Sequence, residues 1–336
     1  MKALAGLATA AWLCGFAIAG LTWRCFRDGL ATVPVEPITV CVVVMAACTA
    51  GALLLAAWRM LAGPSRFASV MWCIASVVPG AVVAGDLRYA QRQWEQRLAP
   101  RTYPFVAAQC LAVSAIHVGA SRAYRYKLDT DHVRMYYQPD LTEPRRDAEL
   151  MSAFVTELSA RLNVKPEPRL VWLRGGMLGL TGAGFGGVAL GSPGPGRVNV
   201  ADRRAFAAAM LERALGPADP PALLTDGWAF AAATASTRRT ARAALTAYGE
   251  PPGTRLADLS LGDRYHRHTS DTATIGGGLV LYLRARFGDD TVLELCRKSE
   301  ARDWPRTFAR VIGVPPASFD ARFLRWLRTK AGRASP

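Results

Sequence analysis

The chain has 336 residues, of which 51% are hydrophobic and 20% charged, with a mean hydropathy of +0.12 and a formal net charge of +15. Divided after residue 121, the first part carries nine Lys/Arg and four Asp/Glu, and the remainder thirty-two and twenty-two. The apolar residues are therefore concentrated in the first third, which excludes a wholly soluble enzyme, a disordered chain and a small disulfide scaffold.

Four segments, 3–23, 38–58, 67–85 and 102–121, contain no Asp, Glu, Lys or Arg. A helix rises about 1.5 Å per residue, so roughly 20 apolar residues cross a hydrocarbon core about 30 Å thick. Each segment is predicted to be a transmembrane helix, and the bilayer is the first expected partner. Trp23, Trp58 and Tyr103 stand at segment ends, where amphipathic rings favour the membrane interface. Four spans place the N-terminus and the large C-terminal region on the same side. Basic residues divide evenly between the two sides, but Arg88, Arg92, Arg97 and Arg101 share one loop. That loop is expected in the cytoplasm, which puts the C-terminal region outside a bacterial inner membrane. Most of the seven cysteines lie in the apolar third, with no metal-ligand spacing.

After Lys127 the pattern becomes that of an α+β domain. His132–Gln138 alternates like a strand, and Leu150, Met151, Phe154, Val155, Leu158 and Leu162 mark a helical face within Asp147–Leu162. Arg169–Leu173 reads as a second strand and Arg197–Val200 as a short one. Helices are expected over Ala205–Leu215, Leu223–Ala235, Ile275–Phe287, Asp289–Lys298, Pro305–Ile312 and Ala317–Lys330, with a loop at Pro251–Leu261. Residues 331–336 form a short tail.

Between these elements, Gly182-Ala-Gly-Phe-Gly-Gly187 fits G-x-G-x-x-G in form. A dinucleotide site needs such glycines to lead directly into a helix. Here Val188–Gly191 and two prolines follow, so turns around short β-segments are expected and no nucleotide. Arginine outnumbers lysine 36 to 5, but the basic residues are interleaved with acids and no nucleic-acid-binding signature accompanies them. Nucleic acid is not expected as a partner. Cys296, beside Leu293 and Leu295, reads as a core thiol.

The order of elements from residue 132 onwards resembles the peptidase-MA-like gluzincin (thermolysin-like) domain of zinc metallopeptidases. Pro220-Pro-Ala-Leu-Leu-Thr-Asp-Gly-Trp-Ala229 is similar to the family's PPxWLxEGxA segment, which supplies the third zinc ligand. Ile275-Gly-Gly-Gly-Leu-Val-Leu-Tyr-Leu-Arg-Ala-Arg-Phe-Gly288 is similar to its GSFVRYLxxxYG helix. The resemblance covers 128–330 and implies a preceding helix bearing H-E-x-x-H. Two histidines a turn apart would bind zinc there, and the glutamate would act as general base on the metal-bound water. That place is taken by Ala207-Ala-Ala-Met-Leu-Glu-Arg213. Ala208, Ala209 and Glu212 stand at the first histidine, the general base and the second histidine, with Asp226 at the third ligand.

Alanine offers no ligand, so the resemblance implies a degenerate site, with no catalytic residue, no cofactor, and a cleft kept for a peptide or partner protein. Two alternatives remain. A rearranged zinc site of a metal-dependent hydrolase could use His266, His268 and one of Asp226, Asp263 or Asp271, with Asp226 the first choice. A structural component of a membrane complex would act through its transmembrane helices.

Overall fold

The computed structural model describes residues 2–28, 35–62, 66–95, 124–167, 169–174, 184–185, 188–190, 197–216, 220–234, 236–249, 269–299 and 303–332, with isolated positions between them. The described residues are mostly helical, with a few strands. They divide into two compact units, Met1–Gly119 and Ala120–Pro336.

The first unit contains α1 (Lys2–Asp28), α2 (Val35–Ala62) and α3 (Arg66–Glu95). Two of them are long and apolar enough to cross a membrane, over Lys2–Cys25 and Pro37–Arg59. The third expected span lies in α3, whose apolar run Val70–Gly85 is shorter. Most of the fourth, 102–121, lies outside the described residues.

Pro79 sits inside α3. A proline has no N–H, so the carbonyl four residues earlier, that of Ala75, loses its helical partner. The indole Nε1 of Trp12 on α1 donates to that carbonyl at 3.0 Å. The Thr49 hydroxyl on α2 lies 2.9 Å from the Met45 carbonyl and 3.1 Å from that of Ser76, so its proton can serve either. Gly15 brings α1 against the proline, since a Cβ there would stand 3.2 Å from the Pro79 Cβ. Trp12, Phe16, Thr22, Pro79, Val83 and Leu111 line an apolar cavity of about 190 Å³ beside this junction.

The second unit is built on a mixed five-stranded sheet in the order β1-β2-β3-β5-β4. These are β1 (Tyr126–Asp129), β2 (Val133–Tyr137), β3 (Leu170–Arg174), β4 (Gly184–Phe185) and β5 (Val188–Leu190). β1 and β4 run antiparallel to their neighbours, and β2, β3 and β5 are parallel. Helix α4 (Pro144–Leu162) joins β2 to β3 as a parallel crossover. It buries Met151, Val155, Leu158 and Leu162, a 3.6-residue face, against the sheet residues Val133, Met135, Leu170 and Trp172. Of the glycine stretch, Gly184 and Phe185 stand at the sheet edge: Phe185 pairs with Val188, and the strand β5 rather than a helix begins there.

Among the described residues seven more helices follow: α5 (Val200–Leu215), α6 (Ala222–Ala233), α7 (Thr237–Gly249), α8 (Thr269–Phe287), α9 (Asp289–Lys298), α10 (Trp304–Ile312) and α11 (Pro316–Ala331). Trp172 meets Phe206 edge-on at 5.4 Å, and Trp304, Phe308, Phe319, Tyr282 and Phe323 form a second aromatic group. Arg161 on α4 stands over the Trp228 ring at 5.7 Å and pairs with Asp289 at the start of α9.

Two expectations are corrected. Arg197–Val200 is not a strand, because the Asn199 side chain caps α5 and accepts from the N–H groups of Ala201 and Asp202. Four residues of Arg-Val-Asn-Val alternate like a strand, but a capping box outweighs so short a pattern. The stretch after residue 236, left without an element in the sequence reading, forms α7, whose Ala241, Ala244, Leu245 and Tyr248 are buried at helical spacing.

Candidate functional site

Helix α5 carries three of the four positions that the resemblance assigns to the zinc site. Ala209 is fully buried in the core, Ala208 is partly buried, and Glu212 is partly open one turn further on. Residues 204, 208 and 212 are spaced by four and therefore form one stripe along the helix. Ala208 and Ala209 end at Cβ and supply no donor atom. The ligand set that a zinc ion needs is not met.

The fourth position, Asp226, lies in the first half of α6. Its location is fixed by an unusually close helix crossing. A Cβ on Gly227 would lie 2.3 Å from the backbone carbon of Gly276 in α8, and one on Gly276 would lie 2.1 Å from the Leu223 carbonyl oxygen. Only glycine permits this approach, so the backbone next to Asp226 is held against α8.

Asp226 stands 3.7 Å from the guanidinium of Arg204, measured from Oδ2 to Nη2. Their side chains are 35% and 27% exposed, respectively. The pair therefore joins α5 to α6 on the same stripe as Ala208 and Glu212. The sequence reading identified Asp226 but not Arg204, whose role depends on how the two helices dock.

His266, His268 and Asp263 lie outside the described residues, as does the side chain of Asp271. Of the rearranged zinc site, only Asp226 is therefore placed, and it is paired with a cation. Among the described residues no group of three His, Cys, Asp or Glu side chains stands close enough to share a metal.

A second charged cluster went unanticipated in the sequence reading. Arg174 at the end of β3 is almost wholly buried, and its Nη1 donates to both carboxylate oxygens of Asp202 at 3.2 and 3.1 Å. Its Nη2 lies 3.7 Å from Asp147 in the first turn of α4. Asp202 also accepts from the backbone N–H of Asn199, completing the α5 cap. One guanidinium thus ties the carboxyl end of β3 to the N-termini of two helices, where carboxylates are favoured. Burial raises the Asp147 pKa, Arg174 opposes that rise and Asp202 adds to it. An arginine closing an apolar strand, with acids in the first turns of the flanking helices, was the available signal.

Two further groups are set by burial. Cys296 is enclosed in the core and its thiol is pushed up to about 12, so it is not a nucleophile at neutral pH. Arg213, next to Glu212, is lowered to about 10 by burial and donates to the Pro166 carbonyl at 2.9 Å. It therefore serves the packing of α5 against the loop after α4. Compared with known protein families, with curated proteins and with solved structures, the chain matches none.

Proposed function

We propose that the chain is a membrane-anchored, catalytically inactive metallopeptidase-like protein whose C-terminal unit binds a peptide or a partner protein. In this reading four helices hold it in a bacterial inner membrane, and the C-terminal unit faces the extracytoplasmic side. Two helices of sufficient length and apolarity support the membrane anchor. The antiparallel edge strand β4 beside α5, and the docking of α6 on α5, support a domain of the metallopeptidase type.

The observation that carries the loss of catalysis is the Arg204–Asp226 pair beside Ala208. The carboxylate at the third-ligand position faces a guanidinium, and the first-histidine and base positions end at Cβ. A guanidinium keeps its proton at any physiological pH, so it supplies positive charge without polarising a water for attack. The test is metal analysis of the purified full chain together with peptide cleavage in the presence and absence of a chelator. Sub-stoichiometric zinc and no chelator-sensitive cleavage are expected. Stoichiometric zinc with chelator-sensitive cleavage overturns the proposal. If that metal is then lost on replacing both His266 and His268 with alanine, the rearranged-site hydrolase takes its place.

A further inference from the structure

The apolar cavity beside Pro79 has a lining that narrows the choice of occupant. Among its described residues only Trp12 and Thr22 carry polar side-chain atoms, and both are engaged. The Trp12 indole N–H donates to the Ala75 carbonyl, and the Thr22 hydroxyl lies 2.8 Å and 3.1 Å from the Ile18 and Ala19 carbonyls. A buried water needs about two to four polar partners, so the site does not suit water. A void would forfeit the dispersion contacts of the surrounding side chains. Hydrocarbon fits both conditions. At about 190 Å³ the cavity exceeds the roughly 150 Å³ that holds a benzene molecule, so it accommodates several methylenes.

Its position selects the source. Phe16 and Val82 are more than half exposed, whereas Ile18 and Ala107 are buried, so the cavity opens on the outer face of the helices and runs inward. That outer face is continuous with the exposed apolar residues Leu13, Trp23 and Val77. The apolar run Lys2–Cys25 has its midpoint between Leu13 and Cys14, and the α1 part of the lining extends from Trp12 to Thr22. At about 1.5 Å per residue this is roughly 15 Å along the helix, the hydrocarbon thickness of one leaflet, from mid-membrane towards Trp23. We propose that the cavity seats one acyl chain of a bilayer lipid, drawn from the leaflet on the Trp23 side. The inference rests on the reading of α1 and α2 as membrane spans. Moving a chain from the bilayer into the cavity changes little in polarity, so the seat holds it by shape, through contacts with fixed walls. Occupancy therefore depends on the space between α1 and α3. Ala19 is exposed and belongs to the lining, so a larger side chain there can enter the cavity from outside.

The experiment uses the full chain in nanodiscs containing a phosphatidylcholine with a diazirine midway along one acyl chain. After illumination, mass spectrometry maps the adducts. Adducts on the α1 and α3 residues of the lining are expected to exceed several-fold those on exposed residues elsewhere, such as Val43 and Leu54 of α2. Ala19→Phe fills the seat and should bring that excess down to the level of the other faces. Ala17→Phe, also exposed but outside the lining, should leave it unchanged. Even labelling of all exposed faces in the wild type refutes the seat and leaves the membrane anchor standing, and this readout needs no variant to fold. An excess that survives Ala19→Phe, or that Ala17→Phe abolishes equally, also refutes the seat. Adducts on neither α1 nor α2 overturn the anchor and the seat together.

Discussion

Gly276, Gly277 and Gly278 are consecutive in α8, yet replacing each with alanine should have a different effect. All three gain about 1 kcal/mol from helix propensity, so the differences come from what the new Cβ meets. At 276 it stands 2.1 Å from the Leu223 carbonyl oxygen and 3.0 Å from the Gly227 Cα, both backbone atoms of α6. Reaching ordinary contact requires α6 and α8 to part by roughly 1 Å or more, and overpacking of a rigid interface costs about 1–3 kcal/mol or more. At 278 the Cβ meets that of Ala244 at 2.6 Å, which moves only with α7, and Leu327 Cδ2 at 3.1 Å, which can turn. At 277 it meets Phe230 Cδ1 at 2.6 Å, and that ring is partly exposed and free to swing.

The net expectation is a loss of about 2–3 kcal/mol for Gly276→Ala, about 1 for Gly278→Ala, and near zero for Gly277→Ala. Pulse proteolysis across a urea series, on the full chain in detergent, reads the stability of this unit directly. Equal effects at the three positions, or the mildest effect at 276, would show that α6 and α8 do not approach as closely as described.

The Trp12–Pro79 junction gives a double-mutant cycle. Trp12→Phe should destabilise the helix association by about 1–2 kcal/mol in the native background, and by much less once Pro79→Ala has restored the partner of the Ala75 carbonyl; equal costs in both backgrounds, by SDS titration, would refute the bond. In the buried cluster, Asp202→Asn should cost about 3–5 kcal/mol, because it leaves Arg174 buried without its principal partner. Asp147→Asn should cost far less, since burial already disfavours its ionised form. The pH dependence follows from the raised Asp147 pKa. Between the ordinary carboxylate value and that raised value the native state holds more protons than the unfolded state, so its contribution to stability falls as pH rises through the window. Asp147→Asn should flatten that slope in acid-range unfolding curves, and an unchanged slope would place the titration elsewhere. A chain retaining Cys296 as its only cysteine should resist maleimide at pH 7 until unfolded; prompt labelling of the folded chain would contradict its burial.

Sequence punctuation specified the later helices well. Gly288, Gly313 and the Pro315–Pro316 pair bound α9, α10 and α11, and the expected ends lie within a residue of the observed ones. Apolar spacing likewise located β2, α4 and β3. What was missed is chiefly non-local. Strand β1 is four residues long and largely exposed, so it acquires its identity from pairing with β2. Arg174 reads as an ordinary charged strand end until three separated segments meet around it. Asp226 was legible through the resemblance, but Arg204 was not, because helical spacing shows a stripe without showing what faces it. Helix α7 was missed although its signal was present: Arg238, Arg239 and Arg242 are exposed, and Ala241, Ala244, Leu245 and Tyr248 are buried at helical spacing.

The indole of Trp12 also constrains how this chain can change over time. A substitution that removes the indole N–H strands a carbonyl in apolar surroundings, and one that removes Pro79 makes the indole dispensable at that bond. The two replacements are therefore ordered: loss of the proline opens the way to loss of the tryptophan, and the reverse route passes through a weakened intermediate. Lineages that keep the proline should keep an indole donor opposite it, while those that have lost the proline should be free to vary at position 12.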